Sequence, residues 1–372
     1  MTPTVADIIK LMETVAPSHL AETWDNCGLQ VGKRQWPVKH IRTALDPLPE
    51  VVADAVEAGV DFLITHHPLI FKPVKKVDFD TELGRIIRRA AAGRMAVFAA
   101  HTNLDKAVGG LNDTLAGMLG LVETGPLISG DEVRSYKLVF FVPTAHVRAV
   151  TDVLVATGAG RIGNYSGCTF RTEGLGTFIP GPGTTPYSGK HDRLNEVVEA
   201  RIEAVAERDD LEKIIVAVQA VHPYEDMAYD VYPVVTHGQQ GLGRVGILET
   251  EMALGVFADH VSKCLDLAGG LRLVGDPRRK IVKVAICTGS GSSLTGDFLS
   301  SGADVYVSGD MHYHDARAIE GAGLGLVDIG HFASEQIMVT AVADLLRRKL
   351  ETAGYDAVVS TSEVEKDPFT YI

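Results

Sequence analysis

The feature that most constrains this chain is the alternation of short apolar runs with amphipathic helical stretches. Residues 40–105 contain "HIRTALD" as strand, "PEVVADAVEAG" as helix, "VDFLITHH" as strand, "ELGRIIRRAAAG" as helix and "MAVFAAHTNLD" as strand. That order signals βαβ units and a largely parallel sheet. The last part repeats it: "KVAICTG", "ADVYVSGD" and "LGLVDIGH" are strands, each followed by Gly or polar residues and a helix, and "SEQIMVTAVADLLRRKLETAG" is a long final helix. Between them the texture changes to the Pro/Gly-rich "IPGPGTTPYSG" and to the order "KLVFFVP", helix, strand, strand with "EARIEAVA", helix, "AYDVYPV". Such a βαββαβ order is that of a ferredoxin-like domain. The expected organisation is one α/β core, residues 1–129 and 238–372, interrupted by a ferredoxin-like α+β insert at 130–237.

At 372 residues and 46% hydrophobic the chain has enough apolar material for about two domain cores. Its formal charge of -13 disfavours nucleic acid as a partner, because backbone tracking rests on clustered Lys and Arg, but a nucleotide-sized substrate stays open. Cys27, Cys168, Cys264 and Cys287 lie far apart with no CxxC pair, which fits reduced thiols in a cytosol. The start, "MTPTVADIIKLMETVAPSHL", has acidic residues inside its apolar pattern and reads as an amphipathic helix rather than a secretion signal. No apolar run approaches the roughly 20 residues of a membrane span. The expectation is a cytoplasmic protein with no membrane partner.

In open α/β sheets ligands bind outside the carboxyl ends of the strands, and here those ends carry histidines and carboxylates. "ITHHPLIF" holds His66 and His67. Neighbours on a regular strand point to opposite faces, so the doublet can converge only where the strand is ending, and Pro68 fits such an end. The next strand runs into His101 and Asp105; "SGDMHYHDA" supplies Asp310, His312 and His314, and "DIGHFASE" supplies Asp328, His331 and Glu335. His331 with Glu335, and His101 with Asp105, have the spacing that shares one helical face. Such a pair alone is common on solvated helices, and a histidine such as His19 or His260 is more often plain surface or core. Doublet and pairs together, all at strand ends, point to a metal centre. Imidazole with carboxylate suits zinc, iron, manganese, cobalt or nickel. Two or three such nitrogens with two carboxylates would hold two ions about 3.5–4 Å apart, as in two-metal hydrolases. "CTGSGSS", with Gly289 and Gly291, is a weaker candidate, a backbone cradle for phosphate. "HPYE", with His222 and Glu225, reads as structural or effector-related.

"ETWDNCGLQVG", "ITHHPLIF", "HTNLD", "SGDMHYHDA" and "GHFASE" resemble the NIF-three-like family over about residues 1–125 and 240–372; its members are often labelled GTP cyclohydrolase I type 2 homologues. The middle, with "IGNYSGCTF", "EGLGTF" and "VHPYEDMAYDVYPV", looks like the insert of the family's long form, which is similar to PII and CutA proteins. The resemblance implies two divalent metal ions per chain, held by His66, His67, Asp105, His331 and Glu335. It also implies a toroidal homohexamer with the sites facing an internal cavity. Asn26, in the motif "WDNCGL", is a candidate to bond water or substrate, with a turn or cap as its structural alternative. His101 and His314 are candidates for proton transfer or for supporting the ligands, and Asp310 for orienting one of them or meeting substrate. The functional expectation is a dinuclear metal-dependent hydrolase acting on a nucleotide or other small molecule, with GTP ring opening as one option. The competing expectation is a non-enzymatic metal-binding regulatory or scaffold protein whose PII-like insert senses a small effector. Surplus His and Asp beyond the five ligands favours the enzyme.

Overall fold

Thr4 and Asp7 cap each other's backbone N–H groups and start the first helix, Val5–Glu13, whose buried face is Val5, Ile8, Ile9 and Met12. The structure, a computed structural model, describes residues 1–129, 135–234, 239–267 and 269–370. The chain divides into two compact units, Met1–Gly130 with Gln239–Ile372, and Asp131–Gly238. The expected junctions at 130 and 237 lie outside the described residues.

The first unit holds two sheets. One has the spatial order Gly28–Val31, Ala96–Ala99, Phe62–Thr65, His40–Ala44, Val358–Thr361. Its strands pair in parallel, except for the antiparallel edge Gly28–Val31. Phe62–Thr65 and Ala96–Ala99 are buried at every position, as parallel strands are when helices cover both faces. Helices Val5–Glu13 and Ile337–Ala353 pack on one face, and Pro49–Glu57 and Glu82–Ala92 on the other. The second sheet has the order Arg272–Val274, Gly325–Asp328, Val305–Gly309, Lys280–Ser290, Gly241–Ala253, Leu121–Ser129. Its middle three strands are parallel, while both flanks are antiparallel.

The α/β class is as expected: the first sheet is largely parallel, and the second keeps a parallel centre but gains antiparallel flanks. Leu121–Ser129 and Gly241–Ala253 lie on either side of the second unit in sequence and pair with each other. A chain that leaves and returns side by side must run antiparallel there. The outgoing arm carries Gly125 and Pro126 and alternates little, so its strand character is weak in the sequence.

The second unit is a four-stranded antiparallel sheet in the order Thr169–Phe178, Asn195–Glu207, Ser135–Pro143, Tyr229–Val234. Helices Val147–Ala156 and Leu211–Gln219 pack Val150, Leu154, Ile214 and Val218 against Leu138, Phe140 and Ile202. The elements follow the order βαββαβ. His222 acts as a clasp here: its Nε2–H donates to the Phe141 carbonyl at 3.1 Å and its Nδ1 accepts the Tyr224 N–H at 3.2 Å. Among the described residues no helix is long and apolar enough to cross a membrane.

Candidate metal centre

The strand Phe62–Thr65 stops one residue before the doublet. The N–H groups of His66 and His67 both donate to the Leu45 carbonyl, at 3.1 and 3.0 Å, and the Thr65 hydroxyl donates to the His67 carbonyl at 2.8 Å. This turn replaces the ladder and cancels the alternation that would send the rings apart. Their centroids stand 5.2 Å apart. His101, which follows the neighbouring strand, brings a third ring 5.1 Å from His66 and 5.5 Å from His67. From the second sheet, Gly330, at φ 79°, turns the chain into the short helix His331–Glu335, which puts His331 and Glu335 on one face. Two groups of donor atoms result: His66, His67 and His101; and His67, His331 and Glu335.

Each imidazole is held from behind. His66 Nδ1–H donates to the Ala100 carbonyl at 2.8 Å. His67, His101 and His331 direct Nδ1 to Asp46, Asp25 and Asp310 at 2.7, 2.9 and 2.8 Å. With Nδ1 engaged as donor, each ring in its neutral form keeps its lone pair on Nε2, the tautomer that binds a metal through that atom. His66 Nε2 and Glu335 Oε2 are buried without a hydrogen-bond partner. Glu335 Oε1 lies 3.6 Å from His66 Nε2, while its Oε2 lies 3.1 Å from His67 Nε2 and 3.0 Å from His331 Nε2. Donors that share an ion at about 2.0–2.2 Å stand roughly 3–3.5 Å from one another. Orphaned lone pairs converging at that spacing fit a nitrogen- and oxygen-preferring cation.

Electrostatics points the same way. Burial would raise the Glu335 carboxyl, but the His66 charge and the contacts with His331 and His67 hold it well below the usual range. Burial pushes Asp105 up, and His66 offsets only part of that. Burial disfavours a charged His67, yet Asp46 and Glu335 prevail and hold it up at about 10. Glu335 and Asp310 outweigh burial at His331 and hold it at about 9. The carboxylates thus draw positive charge, either as protons on the rings or as a cation in their place.

The other candidates fall in different places. Asp105 Oδ1 sits 3.7 Å from His66 Nε2 and accepts the Thr288 hydroxyl at 3.4 Å, near the centre but outside both groups. Asp310, with φ 51°, orients His331 rather than His101 or His314. The exposed Asn26 donates its amide to the Ile70 carbonyl. His314 is exposed on the helix Tyr313–Gly321 with its ring against Tyr313, and no contact among the described residues joins it to the cluster. Asp328 pairs with Arg272 and accepts the Gly330 N–H at 3.1 Å, bracing the turn into His331. The loop with Gly289 and Gly291 is not a phosphate cradle: their N–H groups are taken by Ser334 Oγ at 2.8 Å and the Gly309 carbonyl at 3.2 Å. Gly289, at φ 67°, instead leaves room for Glu335, whose Oε1 would lie 2.2 Å from an added Cβ. Sequence reasoning missed Asp25 and Asp46. Asp46 ends "ALD" just past a strand, the criterion that found the histidines, and Asp25 lies inside the motif quoted around Asn26. A cavity of about 830 Å³ opens beside the cluster, bordered by His67, His331, Asp46, Asp310 and Arg272.

The chain matches the Duf34/NIF3 (NGG1p interacting factor 3) family over residues 3–368. It is 41% identical over 366 residues to the GTP cyclohydrolase 1 type 2 homolog of Halalkalibacterium halodurans, covering 98% of each chain. To the protein of that name from Bacillus subtilis it is 40% identical, again with 98% of each covered. The crystal structure of a Bacillus cereus protein related to NIF3 superposes over the whole of both chains with a TM-score of 0.78 at 41% identity. A Staphylococcus aureus structure does so with 0.86 at 31%. Fold, motifs and full-length similarity agree that the chain belongs to the Duf34/NIF3 family.

Proposed function

We propose that this protein is a metal-dependent hydrolase with a dinuclear centre, acting on a nucleotide or other small molecule. The observation that carries the reading is a back-braced set of imidazoles: His66, His67 and His331 converge on Glu335, His101 joins His66 and His67, and His66 Nε2 and Glu335 Oε2 are buried without a hydrogen-bond partner. Glu335 turns one oxygen to His66 and the other to His67 and His331, the disposition of a carboxylate that bridges two ions. Asp105 adds a carboxylate on the His66 side. Bound divalent ions would supply Lewis acidity and lower the pKa of water. The chain's own part is to keep each ring in one tautomer through Asp25, Asp46, Asp310 and the Ala100 carbonyl, and to present the centre beside a cavity of about 830 Å³. The relatives' name, GTP cyclohydrolase 1 type 2 homolog, supports a nucleotide among the substrates.

A turnover screen across nucleotides, phosphoesters and cyclic amides, with and without added metal, tests the proposal. Expected is metal-dependent turnover that Glu335→Ala abolishes. Two bound ions with no turnover across the panel would favour the regulatory or scaffold reading. The proposal includes a homohexamer, while a PII/CutA-like second unit that senses an effector belongs to the regulatory reading. Light scattering should give six times 39.9 kDa; a stable monomer would overturn the assembly.

A further inference from the structure

Beside His101 stand two aromatic rings that the fold leaves in solvent. Trp24 is 58% exposed and Phe71 is 49% exposed. Their centroids lie 5.9 Å apart, edge to face, and stand 6.2 and 6.5 Å from the His101 ring. Half-exposed rings of this size forgo much of their apolar burial, and loose segments would be free to fold them away. These segments are not loose. Asp25, next to Trp24, accepts His101 Nδ1–H at 2.9 Å and the Thr102 N–H at 3.1 Å. Asn26 donates to the Ile70 carbonyl, and Gln30 accepts the Ile70 N–H at 3.2 Å while donating to the Asn26 carbonyl at 2.7 Å. The stretch bearing Trp24 is therefore pinned to the stretch bearing Phe71, and both are registered on His101. Lys72, exposed, directly follows Phe71 and makes no ion pair among the described residues.

We propose that Trp24 and Phe71 form a fixed aromatic wall on which the planar ring of the substrate stacks next to His101, with Lys72 meeting a negative group on it. The ligand class is a planar heteroaromatic anion. The wall deepens the hydrolase reading and rests on it only for the chemistry beside the wall. Aromatic stacking tolerates different ring systems because every base has a π-face, so the wall selects flatness, and Lys72 selects charge.

The test uses full-length protein loaded with metal, and the probes GMP, guanosine and ribose 5-phosphate. Trp24 and Trp36 are the two tryptophans of the chain, so Trp36→Phe isolates the Trp24 emission. GMP and guanosine should quench it saturably, guanosine more weakly, and ribose 5-phosphate should not. Calorimetry on otherwise native protein avoids dependence on that background. There, Trp24→Ala and Phe71→Ala should each weaken GMP about tenfold or more while metal content stays unchanged. Lys72→Gln should weaken GMP and leave guanosine as it was. The wall is overturned if both alanine variants bind GMP at full affinity, if neither GMP nor guanosine binds, or if ribose 5-phosphate binds as well as GMP. It is also overturned if Trp24→Ala changes only the mass by light scattering, because the rings would then cover a second copy of the chain. Metal content is read separately: protein that stacks GMP but takes up no divalent metal when it is offered would sink the hydrolase reading and leave the wall standing.

Discussion

His67 is the residue shared by both donor groups, and its loss should cost more than the loss of any other imidazole. His67→Ala and Glu335→Ala are expected to lower bound metal from two ions per chain to one or fewer, by mass spectrometry on folded protein. His314→Ala should keep both, since its ring sits against Tyr313 and away from the cluster. The bracing carboxylates act more gently: Asp46→Asn should weaken metal binding about 10–100-fold while the fold persists. The pH dependence follows from the same contacts. Asp46 and Glu335, against burial, hold His67 at about 10, and Glu335 and Asp310 hold His331 at about 9. A cation must displace those protons, so metal affinity should climb as pH rises toward 9–10 and level off above. The slope should be about tenfold per pH unit for each proton released. Calorimetry in buffers of different ionisation enthalpy would count the protons, and a flat profile between pH 6 and 9 would contradict the assignment.

Two elements set the frame for those side chains. The carboxyl end of Lys280–Ser290 passes directly under the short helix His331–Glu335, and only a glycine fits between them. Gly289→Ala puts a methyl against Glu335 and places a β-carbon at φ 67°. It should remove metal as thoroughly as Glu335→Ala while leaving circular dichroism near native. In the second unit the clasp at His222 needs a neutral ring, because Nδ1 accepts the Tyr224 N–H. Burial lowers its pKa, helped by no carboxylate bond strong enough to reverse it. A histidine whose folded pKa lies below its unfolded value takes up its proton more readily when unfolded, so stability is lost as pH falls from about 6.5 toward the folded value. Thermal melts of the wild type should show that loss, and His222→Gln should flatten it.

Over the whole molecule, the histidine and carboxylate cluster belongs to the first unit, and that unit closes on itself across the excursion of the chain. Ser129 pairs with Gly241 at one end of the long arms, and within the second unit Ser135 pairs with Val234. Chain ends so close can be rejoined at little entropic cost. Linking residue 129 to residue 241 with a short Gly/Ser bridge should therefore give a folded first unit that retains both ions, measured by metal analysis and a cooperative melt. Folding without metal would show that the second unit helps complete the centre. Arg244 is the residue to leave untouched in this design. It is buried, and it bonds Asp113 and the Ala107, Gly241 and Gly243 carbonyls, tying the returning arm to the segment after Asp105.

The sequence by itself determined the strand and helix alternation, the histidines and carboxylates at strand ends, and the helical pairing of His331 with Glu335. These are set by neighbours within a turn or a strand, where period and backbone preference act directly. It offered Asp310 as a partner for His101 or His314 and was silent on the bracing roles of Asp25 and Asp46. Asp25 reaches His101 across 76 positions, and Asp46 and Asp310 reach His67 and His331 across 21 each. It also did not reveal that the core strands divide into two sheets with antiparallel edges, or that Gly289 serves Glu335 rather than phosphate. Only the tertiary structure decided these, because they depend on where the carboxyl ends of two separately built sheets meet, and residues far apart in the chain become partners through that packing alone.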